Sequence, residues 1–317
     1  MKRILMIICC LCFVWRAAGQ HQTDFTITDL DNKSLASEVQ GTLSRLVSEL
    51  NLAHQERRNP RLRGLKMEEA VKNSIAALWE TSPFRCVESE VVESALLTYS
   101  KEYEVRNIPF IFSAMSSDDQ YHEAAVTFNN QGVITSFHMV IAQNLYYQVM
   151  RSKHGVTDLR RRQMILDYVE QFRTAYNTKD IGFLNQIFSD DALIITGKVV
   201  KVKPNEMDVP YKITYKKQGK KEYLTNLKRV FDNNERIKVS FDEIEVMRHP
   251  INTDFYGVTL HQNFFTSNYM DDGYVFLLWD FTNPDQPQIH VRTWQPDKIG
   301  DKKLPEDEIF SVHDFEI

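Results

Sequence analysis

Apolar positions in residues 34–58, SLASEVQGTLSRLVSELNLAHQERR, recur at Leu35, Val39, Leu43, Leu46 and Leu50. That spacing, close to 3.6, predicts a helix with one buried face. MEEAVKNSIAALWE predicts a second helix with Val71, Ile75, Leu78 and Trp79 inward, ended by Pro83. From Tyr103 to Ser113 the pattern turns extended, and YHEAAVTFNNQGVITSFHMVI reads as a hairpin turning on residues 129–132. A break is expected near Lys153–Gly155. Beyond it, Thr157 or Asp158 can cap a helix carrying Ile165, Tyr168, Val169, Phe172 and Tyr176 at helical spacing. A short helix, DIGFLNQIF, a strand, DALIITG, and a third helix near Glu222–Phe231 follow. Strands are then expected over Arg236–Val246, Phe255–Ser267, Tyr274–Phe281 and Gln288–Trp294. The predicted fold class is α+β: a C-terminal domain of helices packed on a curved antiparallel sheet, preceded by a smaller α+β domain.

The last strands can be assigned faces by counting from turns. Asp272–Gly273 is a strong two-residue hairpin signal, and NPDQP, residues 283–287, marks the next loop. Alternation then places Val258, Leu260, Gln262, Phe264, Val275, Leu277, Trp279, Phe281, Ile289, Val291 and Thr293 on a core face. The opposite face receives His261, Asn263, Phe265, Tyr269, Tyr274, Phe276, Leu278, Asp280, His290, Arg292 and Trp294. In RIKVSFDEIEV the apolar parity changes between Phe241 and Ile244, which predicts one inserted residue, a β-bulge.

The stretch ILDYVEQFRTAYNTKDIGFLNQIFSDDALIITG resembles the opening of the nuclear transport factor 2-like superfamily, the cone-shaped, ketosteroid-isomerase-like α+β fold. The resemblance runs over about residues 157–300 and rests on element order and a loose motif. It implies a pocket between the concave sheet face and the helices. It implies no single activity, because the family hosts isomerases, dehydratases, cyclases and binding modules. On the register above, that pocket receives Gln262 and Thr293, with Thr266 near its rim and Tyr168 or Tyr176 from the helices. None is a useful acid or base near neutrality. The N-terminal part matches no family as well; its hairpin AAVTFNNQGVITSF only vaguely resembles the same one.

Composition changes this picture chiefly at the N-terminus. MKR, then the apolar run ILMIICCLCFVW, then AAG reads as a secretory signal peptide over residues 1–19, too short to span a membrane. Its removal takes Cys9, Cys10 and Cys12 and leaves Cys86 of the four cysteines, so no internal disulfide is expected. Loss of Lys2, Arg3 and Arg16 moves the net charge from −5 to −8, which disfavours nucleic acid and anionic membranes as partners. The expected domains are the signal peptide, residues 20–155 and residues 156–317. The expected location is outside the cytoplasm, in the periplasm or at the cell surface.

Candidate chemistry gathers on the far sheet face: His261, Tyr274, Phe276, Asp280, His290, Arg292 and Trp294. Asp280 and His290, with His261 near, could be a packed cross-strand pair, a ligand or peptide site, or an acid–base cluster. Packing is the primary reading, so these residues are taken as binding or interface residues and none as catalytic. The scattered histidines show no metal-ligand spacing, and no phosphate-binding loop or nucleophile elbow is present. No metal or cofactor is expected. YKKQGKK, residues 215–221, reads as a solvated loop or strand end. Cys86 reads as a small buried apolar residue. Together these features predict an exported, non-enzymatic binding or interaction module of the bacterial envelope. Its partner would be a protein or a small hydrophobic ligand, with a homodimer through the aromatic sheet face as one form. The alternative is a cone-fold isomerase, lyase or hydrolase acting on a small hydrophobic molecule.

Overall fold

In a computed structural model, described for residues 22–317 except 99, 114–120, 142, 152–158, 203–210, 267, 285 and 316–317, the chain forms two compact units. The first ends at His138 and the second begins at Met139. The expected signal peptide, the Lys153–Gly155 break and the Thr157 or Asp158 cap lie outside the described residues.

The first unit contains β1 (Asp24–Thr28), α1 (Lys33–Gln55), α2 (Glu69–Thr81), β2 (Phe84–Arg85), β3 (Glu90–Leu97), β4 (Tyr103–Phe112), β5 (Tyr121–Phe128) and, up to its last residue, β6 (Ile134–Met139). The long strands are ordered β1-β3-β4-β5-β6, with β2 paired to β4 and β1 parallel to β3. Asn32 caps α1 by accepting from the Leu35 amide, and Leu43, Leu46 and Leu50 are fully buried. Phe84 packs on Trp79, Phe110, Phe112 and Phe137. Cys86 is buried, and burial pushes its thiol up in pKa.

The second unit contains α3 (Gln143–Arg151), α4 (Leu159–Asn177), α5 (Ile181–Ile187), β7 (Phe188–Lys201), β8 (Tyr211–Gly219), α6 (Lys220–Asn233), β9 (Ile237–Arg248), β10 (Phe255–Thr266), β11 (Met270–Asp280) and β12 (Gln288–Pro296). A small hairpin, β13 (Lys298–Ile299) and β14 (Lys302–Lys303), and two 3-10 turns complete the chain. Met139–Ile141 are tied to α4 by charge: Arg173 donates to the carbonyls of Met139 and Val140, and Glu170 accepts from the Ile141 amide. Burial lowers the Arg173 pKa to about 10.

The main sheet runs β8-β7-β12-β11-β10-β9, antiparallel except for the parallel β12–β7 pair. The expected bulge in β9 is present: Phe241 pairs with Gln262 and Glu243 with His261, leaving Asp242 unpaired. A second bulge was not foreseen. Trp279 pairs with Ile289 but Leu278 pairs with Val291, so His290 is the extra residue and the rest of β12 changes face.

The expected Asp272–Gly273 hairpin does not form. Both residues lie inside β11, opposite Asn263 and Gln262, and the chain instead reverses between Thr266 and Tyr269. Gly273 meets a different need. A Cβ there would lie 2.2 Å from the Gln295 carbonyl oxygen and 3.0 Å from the Trp294 ring. The missing side chain admits a close backbone approach rather than a turn.

The face opposite the helices is covered by the chain's own C-terminal segment. Val312 joins Phe255, Phe276, Leu278 and Val291 in one core, and the Phe315 ring stacks on Phe276 at 5.3 Å. Gln295 clasps the segment. Its amide donates to the Glu308 carbonyl at 2.8 Å and to the Tyr215 hydroxyl, while its oxygen accepts from the Phe310 amide at 2.7 Å. A Cβ on Gly257 would lie 2.7 Å from the Phe276 ring and 2.8 Å from Val312. Gly257→Ala should therefore cost about 1–3 kcal/mol by overpacking. Gly273→Ala should cost at least as much, because the obstacle is backbone. Urea denaturation of each variant checks both.

Candidate functional site

Two groups of polar side chains stand out in the second unit, one on each face of the sheet. The first lies beneath the helices. Because His290 resets the alternation, Arg292 pairs with Leu277 and Trp294 with Val275, which puts both on the helix-side face. The expectation that Arg292 and Trp294 belong to the far face is thus corrected, as is that of Val291 and Thr293 on the core face. Thr293 pairs with Phe276 on the opposite side.

Arg292 is 6% exposed, and its guanidinium lies 5.2 Å from the centre of the Tyr223 ring of α6. The Tyr176 hydroxyl from α4 hydrogen-bonds the Tyr223 hydroxyl, and both phenols act on Arg292. Burial works against the Arg292 charge, but Tyr223, Tyr176 and Asp271 outweigh it and its pKa rises. Burial, with Tyr223 beside it, also raises the pKa of Tyr176. Asp271 sits on the same face, opposite Phe264, and accepts from the Tyr269 hydroxyl at 2.9 Å. Burial pushes its pKa up despite that bond. Gln262 points to this side as expected. Its Oε1 and the Nε of Arg292 are buried without a hydrogen-bond partner. A buried cation between two phenols is the charged group that counting without the bulge had missed.

The second group lies on the outer face. Tyr274 pairs with His261, ring centres 4.9 Å apart. The His261 Nδ1 is 2.6 Å from Asp242, the bulged residue of β9, and its Nε2 is 3.7 Å from Asp297. Phe276 is buried beneath Phe315. Asp280 pairs with Gln288 rather than His290. The His290 side chain still reaches Asp280 at 3.4 Å and Asp191 at 3.6 Å. The seven residues therefore divide: Arg292 and Trp294 inside, Phe276 in the C-terminal core, His261 with Tyr274, and Asp280 with His290.

A cleft of about 850 Å³ borders the His261–Tyr274 pair. Five consecutive β9 residues, Glu243 to Met247, line it. Val149 of α3, Arg162 of α4, and Lys303, Glu306 and Phe310 of the C-terminal segment also line it. Consecutive residues of one strand can share a cleft only where the strand's edge is open, since their side chains alternate between faces. Among the described residues no group of acidic, histidine or cysteine side chains is arranged to hold a metal ion. No described helix is long and apolar enough to cross a membrane.

No protein-family model matches the chain, and no curated protein matches it. Solved structures resemble it in part. A protein of Bdellovibrio bacteriovorus is 18% identical with a TM-score of 0.34, over 44% of this chain and 42% of that one. A Nostoc punctiforme protein of unknown function with a cystatin-like fold is 12% identical with a TM-score of 0.32, over 45% and 95%. A candidate ketosteroid isomerase from Shewanella frigidimarina is 12% identical with a TM-score of 0.30, over 42% and 94%. The likeness is one of layout and says nothing of activity.

The raised pKa of Asp271 has a sign that can be checked. The folded chain holds this proton more tightly than the unfolded chain, so the contribution of Asp271 to stability falls as pH rises through the carboxylate range. Asp271→Asn removes that contribution. Urea unfolding from about pH 3 to 7 should show the stability of the variant, relative to the parent, rising with pH.

Proposed function

We propose that this chain is an exported, non-enzymatic binding module of the bacterial envelope, and that the cleft beside β9 is where it holds its partner. The N-terminal pattern of residues 1–19 supports export. The observation that carries the binding reading is the contrast between the two polar groups. Inside, the Tyr176, Tyr223 and Arg292 side chains are turned on one another beneath α4 and α6. Outside, an 850 Å³ cleft opens onto a strand edge, with apolar and charged side chains together. The second reading, a cone-fold isomerase, lyase or hydrolase acting on a small hydrophobic molecule, draws on the unpartnered Arg292 Nε and Gln262 Oε1 in the interior.

Two measurements test the proposal. The N-terminus of the protein recovered outside the cytoplasm should be Gln20; recovery only inside cells with residues 1–19 retained overturns export. Carbodiimide labelling of the carboxylates of Glu245 and Glu306 should fall when envelope extract is added, with Glu235 on the α6–β9 connection unchanged. Equal labelling with and without extract overturns the cleft as the site. Turnover of an apolar carbonyl compound that Arg292→Ala abolishes, in a folded variant, would establish the enzyme instead.

A further inference from the structure

Strand β9 is an edge of its sheet: it pairs with β10, and no described strand lies on its other side. The His249 amide donates to the Phe255 carbonyl, so at position 249 the backbone points toward β10. Backbone direction alternates residue by residue along an antiparallel ladder. The N–H and C=O groups of Ile244, Val246 and Arg248 therefore point away from β10, toward the open side. Two of these residues, Ile244 and Val246, line the 850 Å³ cleft. An edge left this way is the template on which an extended chain adds as a further strand.

The walls on either side differ in chemistry. An added strand would continue the two faces of the sheet. Its helix-side residues would lie beside Ile244, Val246 and Val149, which are apolar. Its outer residues would lie beside Glu243, Glu245 and Glu306. Three carboxylates, Glu243, Glu245 and Glu306, stand on this rim against one ammonium, Lys303. The outer wall thus favours cations.

We infer that β9 is a docking edge for an extended polypeptide segment of a second protein, one alternating apolar with basic residues, which joins the sheet as a seventh strand. This deepens the binding-module reading and rests on it. The occupant is a peptide rather than a compact small molecule because what the cleft displays is a row of backbone donors and acceptors. It is basic because carboxylates outnumber the ammonium group on the outer rim, three to one.

The test uses the full chain and three N-acetylated nonapeptides: lysine alternating with valine, glutamate alternating with valine, and a block of valines followed by lysines. Fluorescence anisotropy should show the lysine–valine alternation binding roughly tenfold tighter than either of the others. Val246→Pro removes an amide that points to open space, a position where an edge strand tolerates proline. It should weaken that binding roughly tenfold while unfolding remains cooperative. A measurement independent of the variant's folding uses the peptide N-methylated at its valines or at its lysines. One of the two sets should abolish binding and the other should spare it. Equal affinity for all three peptides, indifference to Val246→Pro in a folded variant, or indifference to both methylation sets overturns strand addition. Protection of Glu245 and Glu306 by envelope extract without binding of any alternating peptide would overturn it while leaving the cleft as a site for another class of ligand.

Discussion

The second unit depends on a strict constraint: successive side chains of a strand point to opposite faces, so one inserted residue exchanges every assignment beyond it. In β12 that residue is His290. Before it, Ile289 faces the helices; after it, Arg292 and Trp294 do. Without the bulge, Arg292 would sit on the face that the C-terminal segment covers. With it, the guanidinium reaches the phenols of Tyr176 and Tyr223, which come from α4 and α6. A charge taken out of water needs partners around it. The two helices carrying those partners are thereby held over the sheet by polar contacts as well as by apolar packing.

The opposite face illustrates a related economy. Its apolar centre, Phe255, Phe276 and Leu278, would be a large hydrophobic surface if left in water. Residues 310–315 cover it, and the clasp at Gln295 satisfies backbone groups that a loop lying on a sheet would otherwise leave without partners. What stays open is the flank, where β9 ends the sheet beside Glu243, His261 and Tyr274. Covering the centre and leaving the flank moves the place where a partner can sit from the broad face to the strand edge.

Much of the fold was legible residue by residue. The spacing of Leu35, Val39, Leu43, Leu46 and Leu50 predicted α1, which runs Lys33–Gln55. The parity change between Phe241 and Ile244 located the β9 bulge, because apolar residues occur on both sides of it and mark the face on each. The assignments of Val275, Leu277 and Trp279 to the helix side, and of Tyr274 and Phe276 to the other, agree with the register although the turn that motivated them was misplaced. The first strand, Asp24–Thr28, was not read at all. Its side chains alternate in burial but its polar half carries Asp24, Thr26 and Thr28, and its pairing to β3 is parallel and distant in sequence.

The sequence by itself determined the α+β class, the helix faces and most of the strand alternation, because these follow from local periods of 3.6 and 2. Only the tertiary structure decided which residues make the candidate site. The β12 bulge leaves no mark at the insertion itself, since Ile289 and Val291 keep the alternation across His290 and the parity changes only between Val291 and Trp294. The Asp272–Gly273 signal carries a turn in one context and a close approach of two strands in another, and the Gln295 carbonyl that distinguishes them lies twenty-two residues on. The cleft is assembled from α3, α4, β9, β10, β11 and the C-terminal segment. No local pattern records which elements will meet at a sheet edge, because that depends on which strand comes last in the sheet and on what the rest of the chain leaves uncovered.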